Sequence, residues 1–235
     1  MTTTRMTDPL LELDAVTYGW PGDDAPVLAS VSLAIDAGER VFLAGASGSG
    51  KSTLLALIGG LVAPAEGEVR FDGKRVDTLK RAERDRFRAD HLGVIFQQFN
   101  LLPWLDAIDN VRLGCRFSTV RSRRAPADEP GRLLRAMGLP EAAWSRRADR
   151  LSVGQQQRVA AARALIGRPE LILADEPTSA LDDDRRDDFL DLLFEEADKA
   201  GSALLFVSHD RRLADRFDRA LSLETLASSP AGATC

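Results

Sequence analysis

One segment constrains the fold of this chain more than any other: Gly45-Ala46-Ser47-Gly48-Ser49-Gly50-Lys51-Ser52. It follows an apolar run at 40–43 that reads as a strand, and it opens a run at 52–60 that reads as a helix. Glycines let backbone wrap a phosphate closely. Successive N–H groups from Ala46 to Lys51, at the positive end of a helix, form an anion nest. Lys51 is placed to reach β- and γ-phosphates, and the Ser52 hydroxyl to ligate Mg²⁺, with Thr53 next in the helix as part of the same nucleotide-binding set. A loop of this kind needs a strand on one side and a helix on the other, so the expected class is α/β.

The rest of the pattern agrees. Strands are expected at 10–16, 31–35, 40–43, 68–71, 93–96, 171–174, 203–207 and 220–223. Helices are expected at 52–60, 80–89, 153–166 and 183–200. Apolar strands alternating with helices imply a mainly parallel sheet covered on both faces. From 101 to 150 no strand is apparent, and the segment reads as a helical insertion. It is broken by a polar stretch at 118–131 that contains Pro126 and Pro130 and reads as a loop, with Arg121, Arg123 and Arg124 solvated. The tail at 226–235 is small and polar and is expected to be flexible.

Composition narrows the function classes. A chain of 235 residues that is 44% hydrophobic and 29% charged can bury a full core. No apolar run reaches the roughly 18–20 residues of a membrane span, and the N-terminus lacks the apolar stretch of a secretion signal. Cys115 and Cys235 form no metal-spaced cluster. With a net charge of -5, no nucleic-acid partner is expected. Lysine occurs only at 51, 74, 80 and 199 in an arginine-rich chain, which singles out Lys51 as a position that wants a compact ammonium.

Two further segments carry chemistry. The apolar run 171–174 ends in Asp175-Glu176, carboxylates at the strand edge where α/β sheets bind ligands. Asp175 suits a Mg²⁺ ligand, and Glu176 suits the carboxylate that orients or deprotonates an attacking water. Leu151-Ser152-Val153-Gly154-Gln155 precedes a helix, with Ser152 and Gln155 at capping-box spacing. Read plainly, this is a helix cap. Read further, Ser152 and the adjoining N–H groups are a second anion site, which needs a second chain to share one nucleotide with the first loop.

The order of these motifs resembles the ATP-binding cassette (ABC) ATPases over essentially the whole chain. Asp175-Glu176 looks like their Walker B pair and LSVGQ like their LSGGQ signature, with Val153 in place of a glycine. Gln97, preferred over Gln98 by the family's spacing, is similar to the Q-loop glutamine, a further catalytic and Mg²⁺-binding residue. Ser179-Ala180-Leu181-Asp182 resembles the D-loop and His209 the catalytic switch histidine. Tyr18, in competition with Trp20, resembles the aromatic that stacks on adenine.

The resemblance implies a cassette with a RecA-like core and an antiparallel β subdomain at about 8–96 and 155–225, and a helical signature subdomain at about 97–154. It also implies a head-to-tail homodimer with two ATPs at the interface, contacted by the loop of one subunit and by Ser152, Gly154 and Gln155 of the other, with Asp182 nearby. A β-branched residue disfavours positive φ, so Val153 is expected in ordinary helical or extended geometry.

Within the family, GVIFQQFNLLPWLDAIDNV resembles the LolD and MacB group, and the related cell-division ATPase FtsE. That likeness implies the ATPase subunit of a transporter, partnered by an integral-membrane permease at the cytoplasmic face of the inner membrane. A soluble iron–sulfur assembly ATPase is the alternative. Leu101, Leu102, Pro103 and Trp104 read equally as core and as part of a groove for a membrane subunit's helix.

Overall fold

The computed structural model describes residues 8–46, 48–179 and 181–226. The tail beyond Leu226, including Cys235, lies outside them. In chain order the elements are β1 (Leu11–Tyr18), β2 (Leu28–Ile35), β3 (Arg40–Ala44), α1 (Lys51–Ile58), β4 (Glu66–Phe71), β5 (Lys74–Arg75) and α2 (Arg81–His91). Then come β6 (Leu92–Ile95), α3 (Ala107–Arg112), α4 (Thr119–Arg124), α5 (Glu129–Ala136), α6 (Val153–Leu165) and β7 (Leu171–Asp175). The chain closes with α7 (Asp183–Ala200), β8 (Ala203–Ser208), β9 (Arg219–Ser222) and α8 (Leu223–Leu226).

The strands form two sheets. One is antiparallel, in the order β2-β1-β4-β5, and the other runs β6-β7-β8-β3-β9 with every pairing parallel. Side chains of a strand alternate between faces, and here both faces of the parallel sheet are buried. Phe42 of β3, Ile172 of β7 and Leu204 and Phe206 of β8 face one core with residues of α6 and α7. Val41 and Leu43, Leu171 and Leu173, and Leu205 and Val207 face a second core with α1 and the antiparallel sheet. That double burial is why these strands are unbroken apolar runs rather than alternating ones. Each fully buried Leu, Ile or Phe contributes about 1.5–3 kcal/mol.

The parallel arrangement also decides where chemistry sits. β3, β6, β7 and β8 point their C-terminal ends to one edge. A candidate segment stands at each of these ends: the loop from Gly45, the turn at Gln97, Asp175-Glu176, and Ser208-His209. The antiparallel hairpin β4–β5 turns at Asp72-Gly73 with φ of 49° and 70°, the two left-handed residues a tight hairpin requires.

The stretch 118–131 is not the loop its polarity suggests. It holds α4 and the start of α5. Ser118 caps α4 by accepting from the Arg121 N–H, and Pro130 sits in the first turn of α5, where a missing N–H costs nothing. Nor is Arg121 solvated. It is 2% exposed, and its guanidinium donates to the carbonyls of Leu92, Ala164 and Ile166. Among the described residues, no helix is long and apolar enough to cross a membrane.

Candidate functional site

A cleft of about 650 Å³ lies at the C-terminal edge of the parallel sheet. Trp20, Val27, Gly48, Gly50, Lys51, Ser52, Thr53, Gln97, Asp175, Glu176 and His209 line it. They come from six separate stretches of chain, and the strand order described above is what brings them together.

The glycine loop is shaped by sterics at two points. A Cβ on Gly45 would sit 2.7 Å from Ser49 Oγ and 3.1 Å from the Lys51 side chain, so nothing larger fits beneath the loop. Gly50, the residue capping α1, has φ of 98°, a conformation that side chains resist. Lys51 is 8% exposed, and its Nζ donates to Gly45 O and Ala46 O at 2.8 Å each. It also stands 3.7 Å from Glu176 Oε1. The Ser49 N–H donates to Ala46 O at 3.2 Å, closing the loop on itself. Ser47 lies outside the described residues.

The two carboxylates differ in setting. Ser52 Oγ donates to Asp175 Oδ2 at 3.4 Å, and burial pushes the Asp175 carboxyl above its usual range. Glu176 follows with φ of 47°, a left-handed conformation for a residue with a side chain, fixed by its N–H donating to Val207 O at 2.9 Å. That kink swings the carboxylate off the strand line, and Glu176 Oε2 meets His209 Nδ1 at 2.7 Å. The result is a row of Lys51, Glu176 and His209, with Ser52 and Asp175 beside it. A hydroxyl, a carboxylate and the Gln97 amide on one wall are the hard oxygen donors that suit Mg²⁺ shared with a phosphate. Among the described residues, no three His, Cys, Asp or Glu are grouped so that they alone could hold a metal ion.

Of the two aromatics proposed for the base, Trp20 lines the cleft and Tyr18 does not. The Tyr18 ring packs edge-on to Trp20 at 5.2 Å and against the second core, while Trp20 is 44% exposed and its Nε1 donates to Thr53 Oγ1 at 3.4 Å. Trp20 is thus the aromatic that lines the cleft, and the half-buried Tyr18 is in ring contact with it.

The LSVGQ segment lies apart from this cleft. Ser152 caps α6, accepting from the Gln155 N–H at 3.3 Å, and the Gln155 side chain accepts in return from the Ser152 N–H at 3.0 Å. Ser152 and Gln155 together thus form the cap of α6. Gly154 has open space around it, and Val153 is 51% exposed at the first helical position without positive φ. Asp182 caps α7 by accepting from the Arg185 N–H at 3.0 Å, also away from the cleft. Leu101 packs on the first core, whereas Trp104 is 62% exposed. Gln157, which no motif singled out, is 1% exposed and donates to Pro177 O at 2.8 Å, tying α6 to the segment after Glu176.

The chain is similar to known proteins. Residues 28–179 match the family model described as ABC transporter. The lipoprotein-releasing system ATP-binding protein LolD of Anaeromyxobacter dehalogenans is 45% identical over 219 residues, covering 92% of this chain and 90% of its own length. The macrolide export ATP-binding/permease protein MacB of Burkholderia pseudomallei is 42% identical over 224 residues, and there the chain spans 33% of the relative. Among solved structures, the dimeric ATP-binding cassette MJ0796 bound to ADP and Pi aligns with a TM-score of 0.80 at 37% identity, covering 90% of this chain and 93% of the other.

Proposed function

The chain belongs to the ABC transporter family of ATP-binding proteins, and from that premise we propose that it binds and hydrolyses ATP as a head-to-tail dimer, driving a membrane partner of the LolD or MacB kind. The observation that carries this reading is the single cleft in which Lys51, Ser52, Asp175, Glu176, His209 and Gln97 converge from separate strand ends.

The geometry supports the following roles in this reading. The loop N–H groups and Lys51 hold the phosphates, and Trp20 offers its exposed face to the base. Ser52, Asp175 and Gln97 would hold Mg²⁺, which would supply neutralisation of phosphate charge. Glu176 orients the attacking water and takes up its proton. His209, engaged through Nδ1 with Glu176, keeps that carboxylate aimed and leaves its other ring nitrogen for the γ-phosphate. Ser152 and Gly154 stand too far from this cleft to line it, which supports their service to the nucleotide of a second copy. The division into a core at 8–96 and 155–225 and a signature subdomain at 97–154 belongs to the same reading, as does a place at the cytoplasmic face of the inner membrane.

The test is Glu176→Gln with saturating MgATP, followed by light scattering. A stable ATP-bound dimer with hydrolysis lost supports the reading. A monomer under those conditions refutes the sandwich. Lys51→Ala is expected to lose ATP binding. An FtsE-like role differs only in the membrane partner, and co-purification with a permease from the native membrane separates transport from an iron–sulfur assembly role.

A further inference from the structure

The turn that carries Gln97 is held by a residue no motif marks. β6 ends at Ile95, and the chain reverses through Phe96-Gln97-Gln98-Phe99, closed by the Phe99 N–H donating to Phe96 O at 2.9 Å. The two residues that leave the turn, Phe99 and Asn100, both have left-handed φ, 59° and 48°. Asparagine tolerates that region, but a bulky phenylalanine resists it, so something must hold the backbone there. The Phe99 ring is buried in the first core. The two carbonyls that follow the turn both accept from one side chain. Arg163 Nη2 donates to Phe99 O at 2.5 Å and Nη1 donates to Asn100 O at 2.6 Å.

Arg163 lies in the last turn of α6, the helix that Ser152 caps. Burial pushes its pKa down, and no carboxylate pairs with it among the described residues. A half-buried guanidinium whose hydrogen bonds all go to carbonyls gives up solvation without a carboxylate to offset it. Its rigid planar fork matches two adjacent carbonyls in a way a lysine cannot.

We propose that Arg163 is a positioning residue for Gln97, fastening the glutamine's turn to the C-terminal end of the helix that begins at Ser152. This rests on the ATPase reading for what Gln97 does, but not for the clamp itself. The consequence is a shared rigid element. At 1.5 Å per residue, the eleven steps of α6 between Ser152 and Arg163 set them about 16 Å apart on one rod. The end offered to a second subunit's nucleotide and the glutamine of the chain's own cleft then move together.

The experiment uses the full chain with Arg163→Ala, Arg163→Lys, Gln97→Ala and the double variant R163A/Q97A. Two quantities are read: hydrogen exchange of the peptide 96–102 without nucleotide, and the Mg²⁺ concentration at half-maximal tightening of ATP binding by calorimetry. Losing two charge-assisted hydrogen bonds is expected to speed exchange at Phe99 and raise the Mg²⁺ midpoint, each by about tenfold. Binding of ATP without Mg²⁺ stays unchanged, and Arg163→Lys lies between. In the Gln97→Ala background, adding Arg163→Ala leaves the Mg²⁺ midpoint where Gln97→Ala put it, because the two act through one group. Should Arg163→Ala fail to fold, the lysine variant carries the same comparison. Unchanged exchange, or effects on the midpoint that add, overturn the proposal. A wild-type chain without Mg²⁺-dependent ATP binding overturns the ATPase reading instead, and the exchange measurement still decides the clamp.

Discussion

Replacing Arg121 with alanine should cost more stability than any other surface-type substitution in this chain. The guanidinium is 2% exposed and makes four hydrogen bonds: Nε and Nη2 to Ile166 O at 3.0 and 2.6 Å, Nη1 to Leu92 O at 2.8 Å, and Nη2 to Ala164 O at 2.9 Å. Ala164 and Ile166 close the C-terminal end of α6, whose last carbonyls have no partner within the helix. A cation there also meets the negative end of the helix dipole. Burial pushes the Arg121 pKa down to about 10, so the group is still charged at neutral pH.

Each hydrogen bond to a charged group is worth about 1.5–3 kcal/mol, but part of that is offset by releasing the buried charge to water. The Arg121 stem also packs against the Gly167 backbone, where a Cβ on the glycine would lie 2.6 Å from Arg121 Cβ. Together these give a loss of about 3 kcal/mol for Arg121→Ala, or a fall in Tm of roughly 6–12 °C for a domain of this size. Arg121→Met keeps the stem and should lose about two-thirds as much. The measurement is thermal melting followed by circular dichroism, without nucleotide. A methionine variant as stable as the wild type would refute the reasoning, since it would show that desolvation of the guanidinium cancels its hydrogen bonds.

Three other outcomes follow from the site and its supports. Trp20→Ala should weaken ATP binding by roughly tenfold, the loss of one base–aromatic stack, and Tyr18→Leu by much less; a larger loss for Tyr18→Leu in a fluorescence titration would reverse the assignment. Gly93→Ala places a Cβ 2.3 Å from Ala164 O and should cost about 3 kcal/mol through forced separation of β6 from α6; denaturant midpoints check it. Asp175→Asn should raise the melting temperature of the nucleotide-free chain at neutral pH. Burial raises the folded pKa of this carboxyl above its unfolded value, so its charge costs stability above the folded pKa. That cost disappears as pH falls through the folded pKa, and the gap between variant and wild type should close on acidification, as melts across pH 4–8 will read.

What could be read from the residues in advance was whatever depends on near neighbours. The glycine loop, the apolar strands and the acids after β7 are local patterns, and parallel pairing then carried them to one edge. Residues whose meaning depends on distant partners were opaque. Arg121 looked like loop because its acceptors lie 29 to 45 residues away, and its own helix is too short and polar for periodicity to reveal. Arg163 sat in an ordinary helical pattern, 63 and 64 residues from the carbonyls it holds. Tyr18 and Trp20 are two residues apart, and which of them faces the cleft depended on where β1 ends and packs.

The folded-back ammonium of Lys51 has a consequence for what the cleft admits. With two of its three protons already on Gly45 O and Ala46 O, and Glu176 nearby, the lysine is not waiting unpaired for a ligand. Arrival of a nucleotide is then an exchange of acceptors, one set of oxygens traded for another, with the tally of hydrogen bonds nearly unchanged. Only oxygens more negative than a peptide carbonyl win that trade. A nucleoside brings none to this position, and a triphosphate brings several. The loop therefore acts as a threshold on ligand charge before any part of the base is recognised.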